Sequence, residues 1–257
     1  MLALEPLVDK ESMMKKLASV AAIALLPFTA SADFIGFAVG AAYWNPDPSG
    51  DVEYQNLGKN DFSDDLNLKD SQETVLWALV EHPIPLLPNV KLSRTPLTLE
   101  GKNGQLKADF GSVQANVPGI DTRIELDQMD AILYYEVLDN WVNVDLGLNF
   151  KNIDGSVEVS GHGQRTKESF SATIPMLYAN AVFEFPFTNF FAGVEGALLS
   201  VGDNSVTDIT ATVGYESDLG LGALLGLRRQ AIVLKDVDNV ELDFTVSGPF
   251  AAVYYHF

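Results

Sequence analysis

The sequence contains no cysteine, few cations and, beyond residue 33, no long apolar run. Without cysteine there are no disulfides, no thiolate metal sites and no lipid-modified N-terminal cysteine. With 16 Lys and Arg against 35 Asp and Glu, the net charge is -19, which argues against nucleic acid as a partner because phosphate recognition needs clustered cations. A transmembrane helix within 33–257 is also excluded, because it would need about 20 consecutive apolar residues.

The N-terminal residues have the order of a secretory signal peptide. Two lysines precede the apolar run 17–28, and the small-residue sequence Thr-Ala-Ser-Ala follows it. This order predicts cleavage after Ala32, with the secretion machinery and signal peptidase as partners. Residues 1–32 are then an N-terminal extension and signal peptide, and 33–257 form the exported domain.

Acidic residues ahead of the lysines are unusual for a signal peptide, so Met13 or Met14 is the expected start, with Met1 as the alternative. Residues 1–32 carry three cations and three acids, so cleavage leaves the charge at -19. The acidity therefore belongs to the exported part.

That part contains repeated segments in which apolar side chains occupy every second position, the period of a strand with two different faces. The clearest is 141–150, W-V-N-V-D-L-G-L-N-F. Aromatic residues lie near the segment ends, a pattern typical of transmembrane β-barrels. Ten strands are predicted, at 33–44, 72–82, 89–100, 123–136, 141–152, 172–186, 189–201, 206–216, 221–235 and 240–257.

The predicted fold is therefore all-β, an antiparallel up-and-down transmembrane β-barrel of about ten strands preceded by a signal peptide. Pairing off a weak strand would give eight. The segments 72–82 and 89–100 are the weakest, because both of their faces are partly apolar and Pro96 interrupts the ladder. A soluble secreted β-sandwich is the alternative, since it produces the same alternation.

Connection lengths favour the barrel, because such barrels alternate short periplasmic turns with longer outer loops. The predicted long loops are 45–71, 101–122 and 153–171, whereas the connections between them are brief. This asymmetry places both barrel termini in the periplasm.

The chain ends in G-P-F-A-A-V-Y-Y-H-F, with Val253, Tyr255 and Phe257 on one face. This ending resembles the terminal signature of bacterial outer-membrane barrels, and the resemblance implies the barrel-assembly machinery as a partner. The stretches E-H-P-I-P-L-L-P-N and S-G-P-F resemble those of an uncharacterised proteobacterial outer-membrane barrel family named for a Gly-Gly feature, although no adjacent glycine pair occurs here. The family carries no catalytic residue to transfer.

Polar residues on the opposite strand faces are predicted to point into the barrel lumen. The set comprises Asp130, Glu136, Asn143, Asp145, Asn180, Glu184, Glu195 and Arg228. A barrel of eight to ten strands has little room once side chains fill it, so a hydrogen-bonded plug is one interpretation. A narrow pore favouring cations is the other, because the acids outnumber Arg228.

Three other features suggest chemistry. His162, with Ser156 or Ser160, could support a surface hydrolase, but the three histidines are spread over opposite barrel ends. G-L-G-A-L-L-G lacks the strand-to-helix context of a phosphate loop and is better explained by small residues in a crowded interior. Acids of the loop 45–71 could bridge divalent cations to anionic lipid head groups.

These observations predict an integral outer-membrane barrel with either a structural role in the envelope or a narrow pore. Such a pore would pass small solutes or cations. The alternative is a non-conducting barrel for surface adhesion or envelope integrity. Outer-membrane lipid is the expected surrounding. Catalytic residues, cofactors and resident metals are not expected.

Overall fold

The computed structural model describes residues 35–54, 58–84, 86–107, 109–110, 112–116, 118–237 and 240–257. The predicted signal peptide and its cleavage site lie outside these ranges and stay predictions. No helix within the described ranges is long and apolar enough to cross a membrane. The strands are β1 Gly36–Trp44, β2 Asp47–Tyr54, β3 Lys59–Asp61, β4 Glu73–Glu81, β5 Asn89–Gln105, β6 Pro118–Leu138, β7 Val142–Gly161, β8 Gln164–Glu184, β9 Phe190–Val201, β10 Asn204–Glu216, β11 Leu221–Val237 and β12 Val240–His256.

Ten strands form a closed antiparallel ring. β1 pairs with β4, the strands from β4 to β12 pair in sequence, and β12 returns to pair with β1. The remaining two, β2 and β3, extend the wall beyond β1, because β12 pairs with β1 over its C-terminal part and with β2 over its N-terminal part. The predicted ten-stranded barrel is confirmed.

The two ends of the barrel differ. One, the turn end, carries the short connections β4–β5, β6–β7, β8–β9 and β10–β11 together with the C-terminus. The other, the extended end, carries the remaining connections and the outer parts of β5 to β8, which rise beyond the ring. The prediction that connections at this end are longer holds for β1–β4 and β5–β6, whereas β7–β8 and β9–β10 span only two residues each.

Strands extend into two of the predicted long loops. The segment 153–171 is strand except for the β7–β8 connection His162-Gly163, with φ of 52° and 78°, whereas 101–122 is strand only at its two ends, 101–105 and 118–122. Positive φ at both central residues is the geometry of a two-residue hairpin turn whose twist matches the flanking strands. The prediction of a loop was therefore wrong for 153–171, where exposed polar side chains concealed a continuing strand, and it was wrong only at the two ends of 101–122.

The outward face near the turn end is apolar and exposed, and is named the belt. Its members are Phe37, Val39, Tyr43, Leu76, Val80, Leu92, Leu133, Tyr135, Leu146, Leu148, Phe150, Leu177, Phe190, Val194, Leu198, Ile209, Val213, Tyr215, Leu221, Leu225, Leu227, Val253, Tyr255 and Phe257. Toward the extended end the outward residues become polar, beginning with the Arg94–Asp127 ion pair at 2.9 Å.

The interior of the extended end is apolar, and is named the cap core. It contains side chains of β5 to β7 and β12, joined by side chains from the segments 62–68 and 106–113. Its buried members include Leu97, Leu99, Ile124, Leu126, Ile153, Phe244, Val246, Phe62, Leu66, Leu68, Leu106 and Val113. Beyond the belt, therefore, apolar groups point inward and polar groups point outward, as in a water-soluble protein.

Two prolines mark where the ring opens toward the extended end. The β4–β5 ladder ends at Leu76–Arg94, just before Pro96, and the β8–β9 ladder ends at Leu177–Leu198, beside Pro175. Proline has no N–H to donate, so it can end the ladder on one side of a strand while the other side stays paired. Pro96 keeps its partner Asp127 on β6, so the predicted interruption affects only the β4 side.

Candidate functional site

The eight residues predicted for the lumen all occupy inward positions of their strands. The structure separates them into two groups at different heights. Asp130 and Arg228 belong to a buried cluster beneath the cap core, whereas the other six lie nearer the turn end.

The buried group, named the ion cluster, consists of Asp130, Lys151, Asp208 and Arg228. Lys151 Nζ lies 2.8 Å from Asp130 Oδ1 and 3.2 Å from Asp208 Oδ2. Arg228 donates two hydrogen bonds to the Asp208 carboxylate, from Nε at 3.0 Å and from Nη2 at 2.7 Å. Two cations therefore balance two carboxylates across β6, β7, β10 and β11.

Neutral side chains complete the hydrogen bonding of the ion cluster. Asn149 donates to Asp130 at 2.6 Å, and Gln230 donates to Asp208 at 2.8 Å. Arg228 also donates to Thr95 at 3.0 Å and stacks 5.2 Å from the centre of the Trp44 ring. Lys151 is only 2% exposed and Asp130 3%. Charges this deeply buried are tolerated because each is paired and hydrogen-bonded.

The second group, named the turn-end network, forms pairs both between neighbouring strands and across the barrel interior, as between β5 and β9. Lys91 Nζ contacts Glu195 Oε2 at 2.5 Å, and Asn180 donates to Asp145 at 2.9 Å. Tyr134 donates to Glu81 at 2.7 Å. Two further pairs lie closest to the turns, with Asn89 donating to Glu136 and Asn143 donating to Glu184, both at 3.2 Å.

The sequence prediction missed Lys151 and Asp208 of the ion cluster. It also missed Lys91, a second lysine that points into the barrel. Lys151 continues the inward parity of Asn143 and Asp145 on β7, so extending the predicted strand by its own period would have found it. Lys91 and Lys151 join Arg228 inside the barrel, which corrects the view that Arg228 alone faces the acids. The pairing of Asp208 across strands could not be read from one strand.

Inward glycines are explained by crowding, as predicted. A Cβ on Gly222 would lie 2.0 Å from Cζ of Tyr254, and one on Gly40 would lie 2.3 Å from Cε2 of Trp77. The aromatic rings cover these glycines and fill the space that a side chain would need. In the segment G-L-G-A-L-L-G, Gly220 belongs to the turn and the other six residues begin strand β11, so the helix that a phosphate loop requires is replaced by a strand.

The residues considered for hydrolysis are not assembled into a triad. His162 Nε2 lies 2.8 Å from the carbonyl oxygen of Pro118, while the Ser156 hydroxyl donates to Glu125 at 3.3 Å. Among the described residues there is no group of three or more His, Asp or Glu placed to hold a metal ion. In the loop 45–71, Asp61 accepts from the backbone N–H of Ser63 and Asp64, so it serves the turn itself.

The predicted assembly signal lies at the seam that closes the barrel. Val253 and Phe257 are exposed on the outward face, and Phe257 N donates to the carbonyl of Phe37 on β1 at 2.8 Å. The Phe257 ring packs 5.4 Å from that of Phe37 and 4.3 Å from that of Tyr255. Recognition of this strand by the assembly machinery stays a prediction.

Similar solved structures are bacterial surface and outer-membrane proteins. The attachment invasion locus protein Ail of Yersinia pestis, solved with a heparin analogue, is 13% identical, covering 88% of this chain and all of that one with a TM-score of 0.40. Neisserial surface protein A is 13% identical over 90% and 100%, with a TM-score of 0.35. A major outer membrane protein of Thermus thermophilus is 14% identical over 88% and 100%, with a TM-score of 0.41.

No protein family model matches the chain, and no curated protein matches it. The resemblance to the family named for a Gly-Gly feature is therefore not confirmed.

Proposed function

We propose that the protein is a non-conducting barrel of the bacterial outer membrane that holds a rigid β-structure above the cell surface. The observation that carries the proposal is the reversal of polarity along the barrel axis. The belt presents apolar groups to its surroundings, as the outer surface of a membrane barrel does, whereas the extended end has a polar exterior and the apolar cap core.

A closed barrel satisfies the backbone hydrogen bonds that lipid cannot satisfy, so the belt is compatible with a spanning segment. Its aromatic residues near the turn end, such as Phe190, Tyr215 and Tyr255, fit an interfacial girdle. With the turn end in the periplasm, the extended end lies outside the cell.

Two layers fill the interior along the axis. The ion cluster joins β6, β7, β10 and β11 across the middle, and the cap core fills the space beyond it. Water and ions would have to break buried ion pairs and then cross an apolar layer, which is costly. This filling favours the non-conducting alternative over a narrow cation pore, despite the acids of the turn-end network.

Membrane insertion can be tested with single cysteines, since the natural chain has none to contribute background labelling. In lipid vesicles we expect a membrane-impermeant maleimide to label Asp154→Cys, which is exposed on the extended end, and to leave Leu225→Cys of the belt unlabelled. In intact cells Asp154→Cys should be labelled and Asn140→Cys, in a turn, should not. Equal labelling of the belt cysteine in vesicles would contradict the proposed membrane position.

Conduction is tested separately in planar bilayers with purified, refolded protein. We expect no current steps above the lipid baseline in potassium or sodium salts. Reproducible steps whose size follows salt concentration would overturn the non-conducting role while leaving the membrane position intact.

A further inference from the structure

The sheet that rises above the ring, formed by the outer parts of β5 to β8, has two edges, and only one is covered. The β5 edge is occupied by the loop after β3, where Lys69 N donates to Glu100 O at 3.1 Å and Gln105 N donates to Asp65 O at 2.8 Å. Leu68 also forms a bridge with Gly101. On β8, the β9 ladder stops at Leu177, and within the described ranges no strand pairs with the outer side of 164–176.

The orientation of the β8 backbone follows from neighbouring hydrogen bonds. Glu184 N donates toward β7, to Trp141 O, whereas Phe185 N donates toward β9, to Phe190 O. Since the direction alternates along a strand, even-numbered residues bond to β7 and odd-numbered residues present N–H and C=O to the open side. Pro175, at an odd position, fits this parity because the β7 ladder continues past it unbroken.

The uncovered stretch is exposed and amphipathic. Every residue from Lys167 to Thr173 is exposed. The inward side carries Phe170, which is 44% exposed and rests over Gly155, while the outward side carries Ser169 and Ser171. A long, extended edge with unpaired backbone groups is a template for another strand, and alternating side chains then determine which strand fits.

We propose that the uncovered β8 edge, residues 167–173, binds an extended peptide of a partner protein by antiparallel strand addition. The fitting peptide has apolar side chains opposite Phe170 and Ala172 and hydroxyl side chains opposite Ser169 and Ser171. It carries an acid opposite Lys167 and a cation opposite Glu168. The inference rests on the proposed function, which places this edge outside the cell.

A second copy of the chain in the same membrane does not fit as the antiparallel partner. Antiparallel pairing of two β8 edges in one sheet requires a two-fold axis perpendicular to that sheet, and this axis would turn the second barrel upside down. The outer face beside the edge offers further contacts instead. A groove of about 740 Å³ extends from Arg94 and Asp127 across β6 and β7 to Ser169 and Ser171, where it would receive outward side chains of a bound peptide.

The probe is a labelled synthetic peptide, Val-Thr-Val-Thr-Val-Thr-Lys-Glu-Thr, whose first valine faces Ile174. Its binding to the refolded full barrel is followed by fluorescence anisotropy. Ser171→Pro removes an N–H that points to the open side and leaves the β7 ladder intact, so we expect about tenfold weaker binding, whereas Ser171→Thr should bind as the natural chain does. Unchanged binding to the proline variant would overturn the proposal.

Modified peptides provide a test on an unaltered protein. N-methylation of the threonines that face Ser169 and Ser171 blocks hydrogen bonds to β8 and should abolish binding. N-methylation of the valines that face Phe170 and Ala172 should be tolerated, because their N–H groups point away from β8. Equal effects of the two modifications would show that the peptide does not add as a strand.

Amide hydrogen exchange supplies a readout of geometry. In the free protein the amides of Ser169 and Ser171 should exchange faster than those of Phe170 and Ala172, and the peptide should slow the first pair.

Failure of binding in a protein that inserts and does not conduct would remove only the edge proposal. Binding by a protein that conducts would leave the edge and remove the proposed function. Self-association through the edge, lost in Ser171→Pro, would overturn the choice of partner.

Discussion

The belt region and the extended end are built from the same strands with opposite polarity. On β7, Leu146 and Leu148 point outward in the belt and Asp145 and Asn149 point inward, whereas farther along Asp154 points outward and Ile153 points inward. The strand and its pairing do not change between the two regions. The difference shows that the backbone does not decide which face of a strand is apolar: the residues at alternate positions do, and they suit different surroundings in the two regions.

The junction between the two regions is the ion cluster. It lies where the interior changes from polar to apolar, so its charges have polar neighbours on one side and the cap core on the other. Ion pairing between strands that are not neighbours in the ring, such as β7 and β10, joins separate parts of the barrel wall at this level.

The largest effect is expected from breaking this junction. Lys151→Met removes one cation and leaves Asp130 buried without its ion pair, which costs about 3–5 kcal/mol. Tryptophan fluorescence during denaturant unfolding of the refolded protein measures this loss. Adding Asp130→Asn should recover part of the stability, and Asn152→Met, the outward neighbour, should cost far less. An equal loss in both single variants would show that charge pairing is not the cause.

The next effect distinguishes the two apolar surfaces. Leu99→Ala in the cap core should lower the free energy of unfolding by about 2–5 kcal/mol, because it leaves a cavity. Leu225→Ala in the belt should cost less, because lipid or detergent chains fill the vacated space. Denaturant unfolding in one detergent compares the pair. A larger loss at Leu225 would contradict the assignment of interior and exterior.

The smallest effect concerns an outward ion pair of the extended end. Arg123 hydrogen-bonds Glu125 at 2.9 Å and lowers the pKa of that carboxyl. Because the folded pKa is depressed, the pair contributes stability above the usual Glu pKa of about 4.3, and the contribution is lost as pH falls through the lowered pKa. Both side chains are partly exposed, so the gain is small.

NMR titration of the Glu125 side-chain carbon checks this direction. Arg123→Gln should raise the pKa of Glu125 toward its usual value. Arg165→Gln is the matched control, because Arg165 pairs with Glu158 and not with Glu125. An unchanged Glu125 pKa in the Arg123 variant would show that the ion pair does not hold in solution.

Much of the ring could be predicted from the period of two. All ten strands, the short turns and the inward positions of the eight polar residues follow from alternation on single strands. The outer parts of β5 to β8 were missed because the prediction equated exposed polar residues with loops. The same alternation, continued along β7, would have placed Lys151 inside the barrel. Its contact with Asp208, in contrast, depends on how the ring closes.

The sequence by itself determined the strands, their two faces and the closing strand, because a side chain's face is set by local parity. Only the tertiary structure decided that the interior is filled and that one edge of the outer sheet is uncovered. Both depend on contacts between segments far apart in the chain: the loops 62–68 and 106–113 enter the cap core, and β9 ends its pairing with β8 at Leu177. No local pattern records which distant segment fills a space or leaves a backbone edge free.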